Sequence, residues 1–91
     1  MDNVKLYGAA RCHKTQHYMQ YLQNRDVAFI FLDVEKNEDA AEELRNLYTT
    51  KRLNFPTLLI KGKKLRNPYD SDLEKWLIKK GIINENIKNY S

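Results

Sequence analysis

The segment VAFIFLDV at 27–34 is a nearly unbroken run of apolar, β-branched and aromatic residues. A run of that kind suits a strand covered on both faces, and it is expected here as a central strand. Ahead of it, NVKLY at 3–7 reads as a second short strand, with Val4 and Leu6 apolar and Gly8 at its end. Between the two, Thr15, Tyr18, Met19 and Leu22 recur at i, i+3, i+4 and i+7, the spacing of one helix face. Two strands joined through a helix are expected to be parallel, with a right-handed crossover.

Downstream, Asn37 is placed to cap a helix whose inner face is Ala41, Leu44, Leu47 and Tyr48, with Glu38 and Asp39 in its first turn. TLLI at 57–60 follows Pro56 directly, and KGKK turns the chain into a short fourth strand around Leu65, antiparallel to the third. Asp70 or Ser71 is expected to cap a last helix with Leu73, Trp76 and Leu77 inside and Gly81 as its stop. The order β-α-β-α-β-β-α defines an α/β domain with a central four-stranded mixed sheet flanked by helices. The 91 residues suit a single domain, 1–91, with a core over 3–81 and a tail over 82–91.

The net charge of +4 suits anionic small molecules or acidic protein surfaces and is too scattered to argue for nucleic acid. One cysteine excludes an internal disulfide. No run is long enough to span a membrane, and the N-terminus does not read as a signal peptide. The expected setting is the cytoplasm, and the expected state a monomer.

That single cysteine, Cys12, falls where the first strand meets the first helix. Unpaired N–H groups at a helix N-terminus concentrate positive potential there, which stabilises a thiolate. Arg11, His13 and Lys14 flank it and are expected to act in the same sense. The bland alternative, a buried inert cysteine, fits a strand end set among Arg, His and Lys badly.

VKLYGAARC with CHKT, RLNFPTLLI and DSDLEKWL, in that order and spacing, resemble the glutaredoxin family and its thioredoxin-like fold over residues 3–80. The resemblance implies that Cys12 is the nucleophile and that Thr15 stands where a second, resolving cysteine would be. The chain is therefore similar to the single-cysteine members, with glutathione as co-substrate and outside thiol. Thr15 reads equally well as a packing residue on the inner helix face, and its hydroxyl could donate to the thiolate. By the same resemblance, Pro56 is cis and turns Phe55 toward an extended peptide such as glutathione. Arg52 matches the clamp for the glycine carboxylate, with Lys51 as a substitute or both as a solvated basic loop. Asp70 and Ser71 match the positions that hold the γ-glutamyl end.

Two departures stand out. Ala9 occupies the position where family members often carry a lysine, and Pro68-Tyr69 replaces the glycine pair before the last helix. Tyr69 must either open outward or narrow the γ-glutamyl pocket. His13 and His17, i and i+4, lack the further ligands of a zinc site, so no metal is expected. The resemblance thus implies a glutathione-dependent thiol–disulfide oxidoreductase acting on glutathionylated or disulfide-containing proteins. The alternatives are a non-catalytic thioredoxin-like binding module, an arsenate-reductase-like thiol enzyme, and an iron–sulfur cluster carrier, for which the characteristic C-G-F-S is missing.

Overall fold

The computed structural model describes residues 3–84. Its elements are β1 (Val4–Gly8), α1 (His13–Asn24), β2 (Ile30–Asp33), α2 (Glu38–Asn46), β3 (Thr57–Ile60), β4 (Lys63–Arg66) and α3 (Asp70–Lys79). The strands form one sheet in the order β2-β1-β3-β4. β1 runs parallel to β2, with Lys5 opposite Ile30, and antiparallel to β3, with Leu6 opposite Leu58. β3 and β4 form a hairpin in which both turn residues, Lys61 and Gly62, take positive φ. Such a turn matches the twist of the two strands it joins.

The sheet has two covered faces. Alternation along β1 and β3 sends Val4, Leu6, Leu58 and Ile60 to one side, where Tyr18, Tyr21 and Leu22 of α1 and Leu73 and Leu77 of α3 meet them. Tyr7 points the other way and packs with Val34 and with Ala40, Ala41 and Leu44 of α2. Each leucine buried this fully contributes about 1.5–3 kcal/mol relative to exposure. Asn37 caps α2 by accepting from the Ala40 N–H at 3.1 Å.

The run at 27–34 is not a central strand. Only Ile30–Asp33 enters the ladder, at the sheet edge, and all four residues are half-buried. An apolar run reports cover on both faces, which β2 has: Phe31 packs toward α1 and α3, and Leu32 toward α2. It does not report a strand on either side, and β2 has only β1. The central positions belong to β1 and β3, whose inward residues are fully buried.

The cap of α3 also differs. Tyr69 is the N-cap and makes no side-chain cap bond, while Asp70 is the first helical residue. Asp70 and Asp72 instead favour the positive end of the helix from within its first turn. Gly81, at φ +75°, ends α3 as expected, and its N–H bonds the Ile78 carbonyl. The core runs past residue 81, because Ile82 and Ile83 pack against it and Ile82 N–H reaches the Leu77 carbonyl at 2.8 Å. The rest of the expected tail, 85–91, lies outside the described residues.

Candidate active site at the start of the first helix

Cys12 is the N-cap of α1, with extended backbone at φ −82° and ψ 122°. Its partly exposed thiol stands over the first turn of the helix. Burial pushes the thiol pKa up, but the Thr15 and Lys14 amides, the Thr15 hydroxyl and the Arg11 charge together bring it below the usual cysteine value. No cap hydrogen bond of ordinary geometry closes on the sulfur, so the amides act as oriented dipoles aimed at it.

This differs from the flanking-charge expectation in detail. Lys14 acts on the sulfur through its main-chain N–H, and the ring of His13 is not among the causes of the shift. Arg11 is turned aside: its guanidinium makes a forked pair with both carboxylate oxygens of Glu35, which blunts its charge at Cys12.

Thr15 is fully buried on the inner face of α1, and its hydroxyl accepts the Ala9 N–H at 3.3 Å. The hydroxyl proton therefore remains to be donated toward the sulfur. Packing and tuning belong to the same side chain. The close approach is possible because position 8 is glycine: a Cβ there would lie 2.4 Å from Thr15 Oγ1 and 2.6 Å from its Cγ2. Gly8 thus sets how near the helix N-terminus comes to β1.

Two clefts open at the first turn of α1; Cys12 itself lines neither, and His13 and Lys14, the residues after it, border them. The first, of about 470 Å³, is lined by His13, Lys14, His17, Tyr18 and the segment Asn67–Asp70. The second, of about 450 Å³, is lined by Lys14, Phe55, Pro56, Arg66 and Asn67. Lys14 and Asn67 border both, so the clefts form one groove past the start of α1. The Phe55–Pro56 peptide is cis, and the N–H and C=O of Phe55 carry no hydrogen bond among the described residues. They are free to pair with an extended chain lying in the second cleft.

Of the residues singled out from sequence, the structure brings His13, Lys14, Phe55, Pro56, Tyr69 and Asp70 to this groove. Arg52 is exposed and lines neither cleft, nor does Ser71. Lys51 is drawn to the Asn46 side chain at 3.2 Å. Tyr69 is 81% exposed and opens outward at the rim. Asp70 is engaged by His17, whose Nε2 lies 2.7 Å from its carboxylate across the first cleft.

His17, Tyr18, Arg66 and Asn67 were not expected here. The Tyr18 hydroxyl bonds both the Asn67 side chain and the Pro68 carbonyl, tying α1 to the loop after β4. Burial, then Asp70, pushes Tyr18 up to about 12, so it stays a neutral donor. Asn67 holds a left-handed φ of +48° and donates its N–H to the Pro56 carbonyl at 3.0 Å, which locks the loop onto the cis proline. An Asn-Pro dipeptide is a turn signal, and that was the available clue. Among the described residues, no group of three or more His, Cys, Asp or Glu is arranged to hold a metal, and no helix is long and apolar enough to cross a membrane.

No curated protein sequence matches the chain. Solved structures do. A mutant form of the thioredoxin-like protein BC3987 superposes with a TM-score of 0.70 at 25% identity, covering 85% of this chain and 96% of its own. A glutaredoxin from Archaeoglobus fulgidus gives 0.69 at 17% identity, with coverage of 82% and 85%. A buckwheat glutaredoxin in complex with glutathione gives 0.68 at 12%, with coverage of 90% and 82%. At such identities the last two speak for the thioredoxin-like fold alone. The family model described as Glutaredoxin matches residues 4–65, a segment that carries both Cys12 and Pro56. By that match, the chain belongs to the glutaredoxin family, whose kind of chemistry is thiol–disulfide exchange.

Proposed function

We propose that the protein reduces glutathione mixed disulfides by a single-thiol mechanism through Cys12. The observation that carries this reading is one thiol, depressed in pKa by the start of α1, two residues before Lys14, which lines a cleft with Phe55, whose main chain offers a free edge. The Cys12 thiolate attacks the glutathione sulfur of a mixed disulfide. The old S–S bond breaks, and the substrate thiol leaves as a thiolate that takes a proton from water. A second glutathione thiolate then attacks the glutathione sulfur on Cys12, forming glutathione disulfide and releasing Cys12. Thr15 occupies the place of a resolving cysteine, so the second thiol comes from solution.

The groove suits a short extended peptide. Phe55 supplies main-chain pairing, and the first turn of α3 with Asp70 faces the other end. The complexed buckwheat relative lends support, since its fold carries glutathione. We place the protein in the cytoplasm, acting as a monomer on glutathionylated or disulfide-bearing proteins. An iron–sulfur cluster stays outside this reading, because Cys12-His13-Lys14-Thr15 stands where cluster carriers have C-G-F-S.

The test is transfer of the label. Mixed with a glutathionylated peptide, the protein is expected to take one glutathione on Cys12 and release the reduced peptide, both seen by intact mass. Free glutathione should then clear the adduct in repeated cycles. A Cys12→Ser variant should do neither. Peptide reduction without an adduct on Cys12, or no reduction at all, contradicts the proposal.

A further inference from the structure

Nine Lys and Arg but only three Asp and Glu lie between residues 51 and 80, against two and seven between 26 and 46. The first stretch holds β3, β4 and α3, and the second holds β2 and α2, so the two edges of the sheet differ in charge. All the ion pairs among the described residues draw their basic partner from residues 5–45. The cations of β4, Lys63-Lys64-Leu65-Arg66, thus have no carboxylate partner among the described residues.

β4 is an outer strand with β3 as its ladder neighbour. The hairpin turn is the two residues Lys61 and Gly62, so Ile60 and Lys63 form the first hydrogen-bonded pair. The Asn67 N–H bond to the Pro56 carbonyl keeps the same alternation through Leu58 and Leu65. Lys64 and Arg66 are then the non-bonded positions, and their N–H and C=O groups point away from β3 into the open edge. Both residues are exposed, and no hydrogen bond outside the β3–β4 ladder takes up these groups among the described residues. The side chains sort by face. Lys64 and Arg66 stand opposite Leu59 and Thr57, on the α2 side, where the Lys64 ammonium lies over the Tyr48 ring. Lys63 and Leu65 are on the other side, Leu65 against the core and Lys63 over Trp76 of α3.

Four open main-chain groups, with two cations on one face and Leu65 near Trp76 on the other, complement an extended segment that alternates acidic and apolar residues. A second β4 would set like charges opposite one another, so the same cations keep copies of the chain from pairing here. The acidic residues of another copy lie mostly on α2, a helix, which cannot continue a ladder. A nucleic acid brings negative charge but no peptide groups to pair. We propose that the outer edge of β4 is a docking strand for a partner protein, which adds an extended acidic-and-apolar segment to the sheet. The segment's carboxylates face Lys64 and Arg66, and its apolar residues lie along Leu65. Arg66 also lines the cleft of Phe55 and Pro56, so a protein docked at this edge is held next to the groove. The docking is a binding event and stands or falls apart from disulfide exchange at Cys12.

The experiment uses the intact protein and capped seven-residue peptides that alternate Val with Glu, Gln or Lys. Trp76 is the one tryptophan of the chain, so its fluorescence follows peptide binding. The Glu peptide is expected to bind about three- to tenfold more tightly than the Gln peptide at low salt, with the Lys peptide weakest, and added salt should shrink the difference. Amide hydrogen exchange read by NMR should slow at Lys64 and Arg66 when the Glu peptide is added, and stay unchanged along β2. The double variant Lys64→Glu, Arg66→Glu should reverse the order in favour of the Lys peptide. If that variant does not fold, the peptide ranking and the exchange pattern of the intact protein decide. Equal binding of the Glu and Gln peptides, or binding without slowed exchange at these two amides, overturns the proposal. A single-stranded deoxyoligonucleotide of equal charge that binds as tightly would make the surface a general polyanion site and overturn it too. So would dimerisation without peptide that slows the same two amides, which would assign the edge to a second copy.

Discussion

Adding one methyl group at Gly8 tests how the site is built. The new Cβ would lie 2.4 Å from Thr15 Oγ1, 2.6 Å from Cγ2 and 3.0 Å from Cβ. Thr15 is fully buried and β-branched, so it cannot swing clear, and α1 must lift from β1. Overpacking of this kind costs about 1–3 kcal/mol. In a domain of this size each kcal/mol lowers Tm by about 4–8 °C. Displacing Thr15 also breaks the Ala9 N–H bond to its hydroxyl and turns that hydroxyl from the sulfur. Gly8→Ala is therefore expected to lower the urea midpoint and to raise the Cys12 pKa together. The double variant Gly8→Ala, Thr15→Ala should be less destabilised than the two single changes combined, because the alanine methyl fills space that threonine vacated. A Gly8→Ala protein within about 0.5 kcal/mol of the parent, with an unmoved thiol titration, would refute the account of the strand–helix junction.

Thr15→Cys should install the missing resolving thiol one helical turn after Cys12, and mild oxidation should then consume both thiols; two free thiols in folded protein would contradict the geometry. Tyr7→Phe should cost about 1 kcal/mol in urea denaturation, since the buried hydroxyl donates to Glu43 at 2.9 Å. The same pair gives a pH signature. Burial, then Glu43, raises Tyr7, so its stabilisation is full below the unfolded value of about 10 and is lost as pH rises beyond it. Lys5, against the cost of burial, lowers Glu43, so that contribution holds above the unfolded carboxylate value and fades in acid as pH falls through the folded one. Tyr7→Phe should flatten the alkaline limb; an unchanged limb would mean another group titrates there.

The element order was legible because each element carries its own periodicity, cap or turn. The β3–β4 turn at Lys61-Gly62 and the Gly81 stop are local signals, and both stand where they were expected. The edge position of β2 was not legible, because an apolar run records which faces are covered and is silent on ladder neighbours. At the site, Cys12 announces itself through local sequence. Arg66 and Asn67 do not, since the antiparallel β3–β4 pairing brings them in from afar, and His17, on α1 itself, is tied to the site through Asp70 of α3. Arg11 shows the reverse error. Its neighbour in sequence is the thiol, yet Glu35, in the β2–α2 connection, holds its charge.

The most direct measurement is the pH titration of Cys12 itself, followed by ultraviolet thiolate absorbance in the intact protein with Cys12→Ser as the blank. The first turn of α1 and the Thr15 hydroxyl should bring the midpoint below the free-cysteine value of about 8.5. A midpoint at or above that value would contradict the claim that this strand–helix junction activates the thiol.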